Sequence, residues 1–294
     1  MVVSDWNYKR KIFFVSFLVS CCMTLQACSH MSGSGSHLKA LEVTEPVTIQ
    51  LKGAAGDIHQ TRFYSHSYSK NFQSGQIVKE KDEIVDFTLE EKIARVNKAG
   101  NITLTATTKK KDGIVDLHEL AFPEVDEVIE YLYTPQGKVL KAGDYPDWSI
   151  FYVPPMPLPS QPVSIGDTWE LNDGWQSMNN GIPLTVNLVG IFKNLYACGS
   201  DRCVDIEVSG DVSVAKVLEA QMDFVSEIQG RILFNIDKGA IEWSHIQSRE
   251  DLRMAESQTT VASCLISQLI NNEKNSVAPL KCQPGSETIE LTPQ

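Results

Sequence analysis

The chain has 294 residues, 42% of them hydrophobic, and a formal net charge of −11 at pH 7. An acidic chain repels phosphate backbones, so nucleic acid is excluded as a partner, and an anionic membrane would not attract the protein through its own surface. The length suits one β-rich domain or two small ones and is ample for a hydrophobic core.

The first element is a charged and then apolar segment at the N-terminus. Lys9, Arg10 and Lys11 precede an apolar run over residues 12–25. This run is shorter than the ~20 residues that a membrane-spanning helix needs, but it suits a secretory signal. It ends in Leu25-Gln26-Ala27-Cys28, which resembles the lipobox of bacterial lipoprotein signal peptides. The resemblance implies attachment of diacylglycerol to the sulfur of that cysteine, cleavage before it and, often, acylation of its amino group.

A second lipobox-like sequence, Leu18-Val19-Ser20-Cys21, lies inside the apolar run. The Ser/Gly-rich residues 29–36 suit a flexible tether and favour Cys28 as the anchor. By resemblance to enterobacterial sorting, Ser29 directly after the anchor implies the outer membrane. We therefore predict a signal peptide over residues 1–27, a tether over residues 28–44, and an envelope lipoprotein held in the outer membrane by lipid on Cys28.

The cysteines beyond the anchor are Cys198, Cys203, Cys264 and Cys282. An even set in an exported protein indicates disulfides. Cys198 and Cys203 flank the turn residues Gly-Ser-Asp-Arg, so we pair them across a hairpin, which leaves Cys264 with Cys282. The other two connectivities stay open. A metal or redox site is the alternative, but neither pair has C-x-x-C spacing and no histidine lies near in sequence, so we predict no metal and no cofactor.

Alternation of apolar and polar residues dominates the mature sequence and predicts strands with one buried face. It is clearest at residues 85–89, 102–106, 204–208 and 232–236. Turn signals at residues 134–137 and 237–239 separate strands, and Gly239 suits the left-handed position of a hairpin loop. Helix signals are confined to residues 212–222 and 264–271, which would each form two or three turns.

The proline-dense residues 154–162 divide the mature chain. They cannot form a central strand, because each proline lacks a donor for the ladder. We interpret them as a crossover between an N-terminal β half, residues 45–153, and a C-terminal β half, residues 163–271, which a polar tail follows over residues 272–294. The predicted fold is mainly β, an antiparallel curled sheet or partial barrel with few short helices. Two separate small β domains are the alternative.

Two motifs resemble uncharacterised secreted and lipoprotein families of bacteria. Residues 158–169 read Leu-Pro-Ser-Gln-Pro-Val-Ser-Ile-Gly-Asp-Thr-Trp, and residues 234–239 read Phe-Asn-Ile-Asp-Lys-Gly. The families pair a proline-rich segment and a Gly-Asp-Thr-Trp turn with a later hairpin of the form Phe-x-x-Asp-x-Gly. The resemblance covers about half of the chain and implies an antiparallel sheet that wraps a core, without implying an activity.

Catalytic patterns are missing from the sequence, so we predict no catalytic residues. The histidines lack H-E-x-x-H spacing, and there is neither a G-x-S-x-G elbow nor a phosphate-binding glycine loop. His66 lies between two tyrosines on one strand face, which is either an ordinary amphipathic face or the wall of a ligand site. Tyr152, Trp169 and Trp175 flank the proline-dense segment and are our candidates for a ligand-binding cleft between the halves, although aromatic residues in a β protein are core by default.

The sequence therefore predicts a non-enzymatic envelope lipoprotein that binds a hydrophobic or lipid-like ligand, by analogy with other curled-sheet lipoproteins. The alternative is a structural or assembly component that contacts other envelope proteins, and a hydrolase ranks below both. An apolar cavity connected to solvent would favour the first function. A closed core with a large exposed apolar patch would favour the second.

Replacing Cys28 by alanine should abolish labelling with a fatty-acid probe and stop signal processing, because the sulfur accepts the lipid. Labelling in cells and the electrophoretic mobility of the precursor are the measurements. Cys21→Ala is the control and should change neither. Labelling that persists in Cys28→Ala and disappears in Cys21→Ala would assign the anchor to Cys21.

Overall fold

The computed structural model describes residues 38–177, 181–214, 223–270 and 280–285. Several predictions therefore lie outside the described residues: the signal peptide, Cys21, Cys28, most of the helix over residues 212–222 and most of the polar tail. No helix long and apolar enough to cross a membrane occurs in the described ranges.

Antiparallel strands make up most of these residues, with two short 3₁₀ turns at Leu117–Leu120 and Ile150–Tyr152. The strands are β1 (Lys39–Ala40), β2 (Ile58–Gln73), β3 (Gln76–Val96), β4 (Ile102–Asp112), β5 (Val128–Tyr133), β6 (Val139–Ala142), β7 (Thr168–Gln176), β8 (Pro183–Cys198), β9 (Asp201–Val214), β10 (Asp223–Asn235), β11 (Ala240–Met254) and β12 (Ser257–Leu269).

All twelve strands belong to one antiparallel sheet that does not close on itself. The order is β1-β8-β9-β10-β11-β12-β2-β3-β4-β5-β6, and β7 pairs with β8 on the same side as β1. The predicted mainly β, antiparallel fold with few short helices is confirmed. The pairing of β12 with β2 runs from Leu269 opposite Thr61 to Ser257 opposite Gln73, and it joins strands β2–β6 to strands β8–β12 in one sheet.

One face of the sheet, which we call the inner face, carries the apolar side chains of the predicted alternation. The buried residues there include Val85, Phe87, Leu89, Ile102, Leu104, Val204, Ile206, Ile232 and Phe234. They form one large cluster under β8–β10 and another under β3–β6, beside a small group around Val85 and Phe87. Ile49 is buried in the first cluster and Leu51 contacts both, so the segment before β2 lies along the inner face. All clusters fall within the compact unit Ser36–Gln294.

The proline-dense residues 154–162 form no strand, as their missing donors require. Met156 is nevertheless buried in the cluster under β8–β10, and Val163 pairs with Val47 in an isolated bridge. The crossover is therefore part of the core rather than a surface linker.

The helix predicted over residues 264–271 is wrong, because this run belongs to β12 as far as Leu269. Leu265 and Leu269 face inward, whereas Cys264 and Ile266 pack on the opposite, outer face. A strand that is covered on both faces is apolar at successive positions, so its period of two is hidden in the sequence.

The outer face is also buried along β9 and β10. Asp205, a polar position of the predicted alternation, has no exposed surface. Arg231 of β10 donates two hydrogen bonds to its carboxylate, one of them over 2.9 Å, which compensates for the burial of the charge. Burial raises the pKa of Asp205 against the lowering effect of Arg231.

Two disulfides lie on the outer face of the sheet. They join the pairs expected from the sequence: Cys198 with Cys203 across the β8–β9 turn, and Cys264 of β12 with Cys282. The described residues 280–285 thereby lie against the sheet, where Arg249 donates to the carbonyl oxygen of Gly285 over 2.8 Å.

Replacing Ala262 by proline should lower the free energy of unfolding of the Ser36–Gln294 unit by roughly 2 kcal/mol or more. Ala262 lies between β11 and β2, opposite Arg249 and Tyr68, and proline would remove a ladder hydrogen bond and leave its acceptor unpaired. Urea unfolding with the disulfides intact is the measurement.

The matched control is Ala55→Pro. Ala55 is the second residue of the turn Ala54–Asp57, where Asp57 N–H donates to the carbonyl of Ala54 and Gly56 has a φ of 99°. Proline is favoured at this turn position, so the free energy of unfolding of Ala55→Pro should equal that of the wild type. Equal stability of the two variants would show that the β12–β2 region is not essential to the fold.

Candidate ligand-binding cavity

The inner face encloses a partly open cavity of about 320 Å³. Strands β2 to β5 form one wall and β11 and β12 the other, which shows that the sheet curls around this space. Two covers lie over it: residues 120–123, between β4 and β5, and Phe151, Val153 and Pro155, which lead into the crossover. Leu51, Lys52 and Gly239 complete the lining. Most of the lining is apolar, including Phe63, Leu89, Ile102, Leu104, Phe122 and Phe151.

The space exists because several inward positions carry small side chains. Ala106 of β4 lines the cavity, as do Ser244 of β11 and Ser267 of β12. The two serines are neighbours across the strand pair and their hydroxyl oxygens are 2.6 Å apart, so each is satisfied without filling the volume. Larger residues at these positions would fill the space, as they do in ordinary cores.

The connection between β4 and β5, residues 113–127, forms the cover loop. Phe122 packs on Phe63 and Phe87, with ring centroids 4.6 and 5.0 Å apart. Leu117 is fully buried beside Phe87. These contacts place the tip of the loop over the cavity.

A polar cluster fastens the cover loop. Glu127 Oε2 lies 2.7 Å from His118 Nε2 and accepts the backbone N–H of Glu124 over 2.9 Å, while its Oε1 accepts the Tyr145 hydroxyl over 2.7 Å. Burial alone would raise the pKa of Glu127, but the hydrogen bonds outweigh it and lower the pKa. The carboxylate therefore stays ionised at neutral pH and keeps both ends of the loop together.

The polar side chains on the wall are close to one another. Glu91 of β3 is the register partner of His59 of β2, and both line the cavity. Burial raises the pKa of Glu91 to about 7 and lowers the pKa of His59. The hydroxyls of Tyr131 and Tyr133 also have raised pKa values, first through burial and also through the nearby Glu91.

Tyr152, Trp169 and Trp175, the aromatic residues expected to bind a ligand, do not line this cavity. Tyr152 packs at the margin of the cluster under β3–β6. Trp169 lies so close to Gly190 of β8 that a Cβ there would be 2.7 Å from the indole ring. Trp175 is six positions along β7, roughly 20 Å from Trp169. A ligand role for these residues stays a prediction.

Glu91 and His59 were missed at the level of sequence, although a signal exists. Glu91 continues the inward positions Val85, Phe87 and Leu89 at intervals of two, so a carboxylate stands where the pattern calls for an apolar residue. His66, which the sequence did single out, lies on the outer face, with Nε2 2.6 Å from Asp82 Oδ1. Within the described ranges, no group of three or more His, Cys, Asp or Glu side chains is placed to hold a metal ion.

No protein-family model and no curated protein sequence matches the chain. A structure of lipid–protein interactions in lipovitellin is similar at 8% identity and a TM-score of 0.42, and covers 77% of this chain. This chain spans only 26% of that one.

An outer membrane channel from Pseudomonas putida F1 shows 11% identity and a TM-score of 0.18, with 78% of this chain and 100% of that chain covered. Ail, the attachment invasion locus protein of Yersinia pestis, shows 6% identity and a TM-score of 0.16, with 73% of this chain and 99% of that chain covered. Similarities this weak carry no argument about function.

Replacing Tyr145 by phenylalanine should loosen the cover loop, because the Glu127 carboxylate loses a hydrogen bond worth about 1 kcal/mol. Amide hydrogen exchange of residues 113–127 should rise about fivefold, as that free energy implies. Tyr196→Phe is the control, since its ring is half-buried and its hydroxyl has no hydrogen-bond partner in the described part of the chain. Unchanged exchange in Tyr145→Phe would show that the polar cluster does not fasten the loop.

Proposed function

We propose that the protein is a non-enzymatic, membrane-anchored envelope lipoprotein that binds a small hydrophobic or lipid-like ligand in the cavity of its curled sheet. The observation that carries the proposal is the cavity of about 320 Å³ with mainly apolar walls. An apolar cavity of about 150 Å³ is enough to hold a benzene ring, so this one suits a ligand about twice as large. The volume also lies at the small end of the range of ligand pockets, about 300–1,000 Å³.

A void of this size is too large for a simple packing defect. Protein interiors contain few voids larger than a water molecule. Because the cavity is partly open, its apolar walls contact water when no ligand is bound. The walls then lack the dispersion contacts of a filled core, and apolar surface in water is unfavourable. A ligand that occupies the space restores the lost dispersion contacts, so binding and stability are coupled.

The anchor proposed at Cys28 fits this function. Lipid at the start of a flexible Ser/Gly-rich tether would keep the cavity within reach of the membrane, where apolar compounds concentrate. The net charge of −11 gives the protein no other attraction to an anionic surface. The lipid thus localises the protein and the sheet binds the ligand.

A role in envelope assembly is the alternative. It would use exposed apolar residues such as Ile77 and Val78 near the β2–β3 turn, which are 49% and 61% exposed. Scattered exposed apolar residues are normal on protein surfaces, whereas a cavity of this size is not. The cavity therefore supports ligand binding more strongly than assembly.

Replacing Ala106 by leucine should weaken ligand binding strongly, because Ala106 lines the cavity and the larger side chain would occupy part of it. The Ser36–Gln294 unit, purified without detergent, would be extracted with organic solvent and analysed by mass spectrometry for bound lipid, and titrated with a small apolar dye whose fluorescence reports polarity. Ala94→Leu is the control, because Ala94 lies on the same strand as Glu91 and is exposed. Wild type and Ala94→Leu should bind the dye saturably, and Ala106→Leu at least tenfold more weakly.

Three results would redirect the proposal. Absence of both bound lipid and saturable dye binding in the wild type would favour the assembly role. Binding that survives in Ala106→Leu but disappears in Trp169→Ala or Trp175→Ala would move the site to β7. Equal binding by Ala106→Leu and Ala94→Leu, with the tryptophan variants unaffected, would exclude the cavity.

A further inference from the structure

We propose that Glu91 determines the specificity of the cavity, which selects single-chain amphiphiles whose polar end donates a hydrogen bond, such as an amine or an alcohol, over those that end in a carboxylate. This inference rests on the proposed function, because it concerns the same cavity. It adds the chemistry of the ligand head group.

The geometry of Glu91 is unusual for a carboxyl group. The side chain belongs to an inward position of β3, is partly buried and lines the cavity. No ion pair or hydrogen bond holds it among the residues that the structure describes. Polar groups in a largely apolar wall usually have a hydrogen-bond partner, because leaving one unpaired there costs free energy. A group that lines a cavity without a protein partner is therefore suited to a ligand.

The neighbouring tyrosines extend the same polar patch. The rings of Tyr131 and Tyr133 stack with centroids 5.4 Å apart, and both side chains line the cavity. In the described part of the chain, neither hydroxyl has a hydrogen-bond partner. An alcohol can donate to Glu91 and accept from a tyrosine, and an ammonium group can donate to Glu91 and add an ionic attraction.

A carboxylate ligand meets a different environment. Its oxygens could accept from the tyrosines, but its charge would lie beside the Glu91 carboxylate in surroundings of low polarity, where like charges repel strongly. Such a ligand could enter only with one of the two carboxyl groups protonated. Glu91 thus excludes anionic chains more effectively as the pH rises.

The other titratable groups near the cavity do not reverse this preference. The pKa of His59, opposite Glu91, is lowered by burial, which favours the neutral imidazole. The Lys52 ammonium donates to the carbonyl oxygen of Ile236 over 2.8 Å and lies near Asp237, whose pKa it helps to lower. The pKa values of both tyrosines are raised, so their hydroxyls stay protonated.

The pKa of about 7 for Glu91 makes the preference dependent on pH. Below that value the group is mostly protonated and tolerates a carboxylate. Above it the group is ionised and attracts an ammonium group. The ratio of amine affinity to carboxylate affinity should therefore rise as the pH passes through about 7.

The test compares decylamine, 1-decanol and decanoate, which share an alkyl chain whose size matches the cavity at roughly a dozen heavy atoms. Binding to the Ser36–Gln294 unit would be measured by calorimetric titration at pH 6 and pH 8.5. At pH 8.5 the amine and the alcohol should bind at least tenfold more tightly than decanoate, and at pH 6 this ratio should fall below about threefold. The shift is expected from the protonation of one carboxyl group.

Glu91→Gln should reduce the selectivity at pH 8.5 to less than threefold and abolish its dependence on pH. Glu90→Gln is the matched control, because Glu90 lies on the outer face and bonds to Lys109 and Gln60, and it should keep the wild-type ratios. If Glu91→Gln fails to fold, the pH dependence of the wild-type ratio tests the inference by itself.

The outcomes separate the two proposals. If no decyl compound binds the wild type, ligand binding in the cavity fails. If all three bind equally at both pH values and Ala106→Leu blocks them, the cavity stands and the role of Glu91 is wrong. A preference for decanoate at pH 8.5, or unchanged selectivity in Glu91→Gln, would also overturn it.

Discussion

The antiparallel ladder between β12 and β2 is the contact on which the rest of the structure depends. Its partners are nearly two hundred residues apart along the chain, with Cys264 opposite His66 near its centre. Without it the chain would form two smaller sheets, each with an exposed edge. With it, β11 and β12 stand beside β2 to β5 and curl around a common space. The cavity is therefore a product of this single long-range pairing.

The inner face of the sheet is densely filled in one region and encloses a cavity in another. Under β8–β10 it is filled by large side chains, including Phe192 and Phe234, together with Ile49 and Met156 from the segments that cross it. Between β3–β5 and β11–β12 the inward residues include Ala106 and the paired serines, and the covers rest on the rim. One region is a closed core and the other a cavity because of side-chain volume, with the backbone pattern unchanged.

The carboxylates of the two regions differ in whether they have a hydrogen-bond partner. Asp205 is fully buried, yet it is paired with Arg231, and Glu127 is held by several hydrogen bonds that fasten the cover loop. Glu91 has no such partner in the described ranges and lines the cavity. Paired buried charges stabilise a particular arrangement, whereas an unpaired one facing a cavity is suited to recognition. This difference, rather than the number of charges, distinguishes the cavity from the rest of the fold.

The sequence by itself determined the strand character of most of the chain and the left-handed Gly239 with its φ of 70°, because periods and turns are local properties. It favoured the observed cysteine pairing but left the other two connectivities open. It misassigned residues 264–271, since a strand covered on both faces shows no alternation. Only the tertiary structure decided that β12 pairs with β2, that Glu91 meets Tyr131 at one cavity, and that Trp169 packs over Gly190 instead of lining it. Strand order and the meeting of distant side chains depend on which apolar faces bury one another, and a local pattern specifies that a face is apolar without specifying its partner.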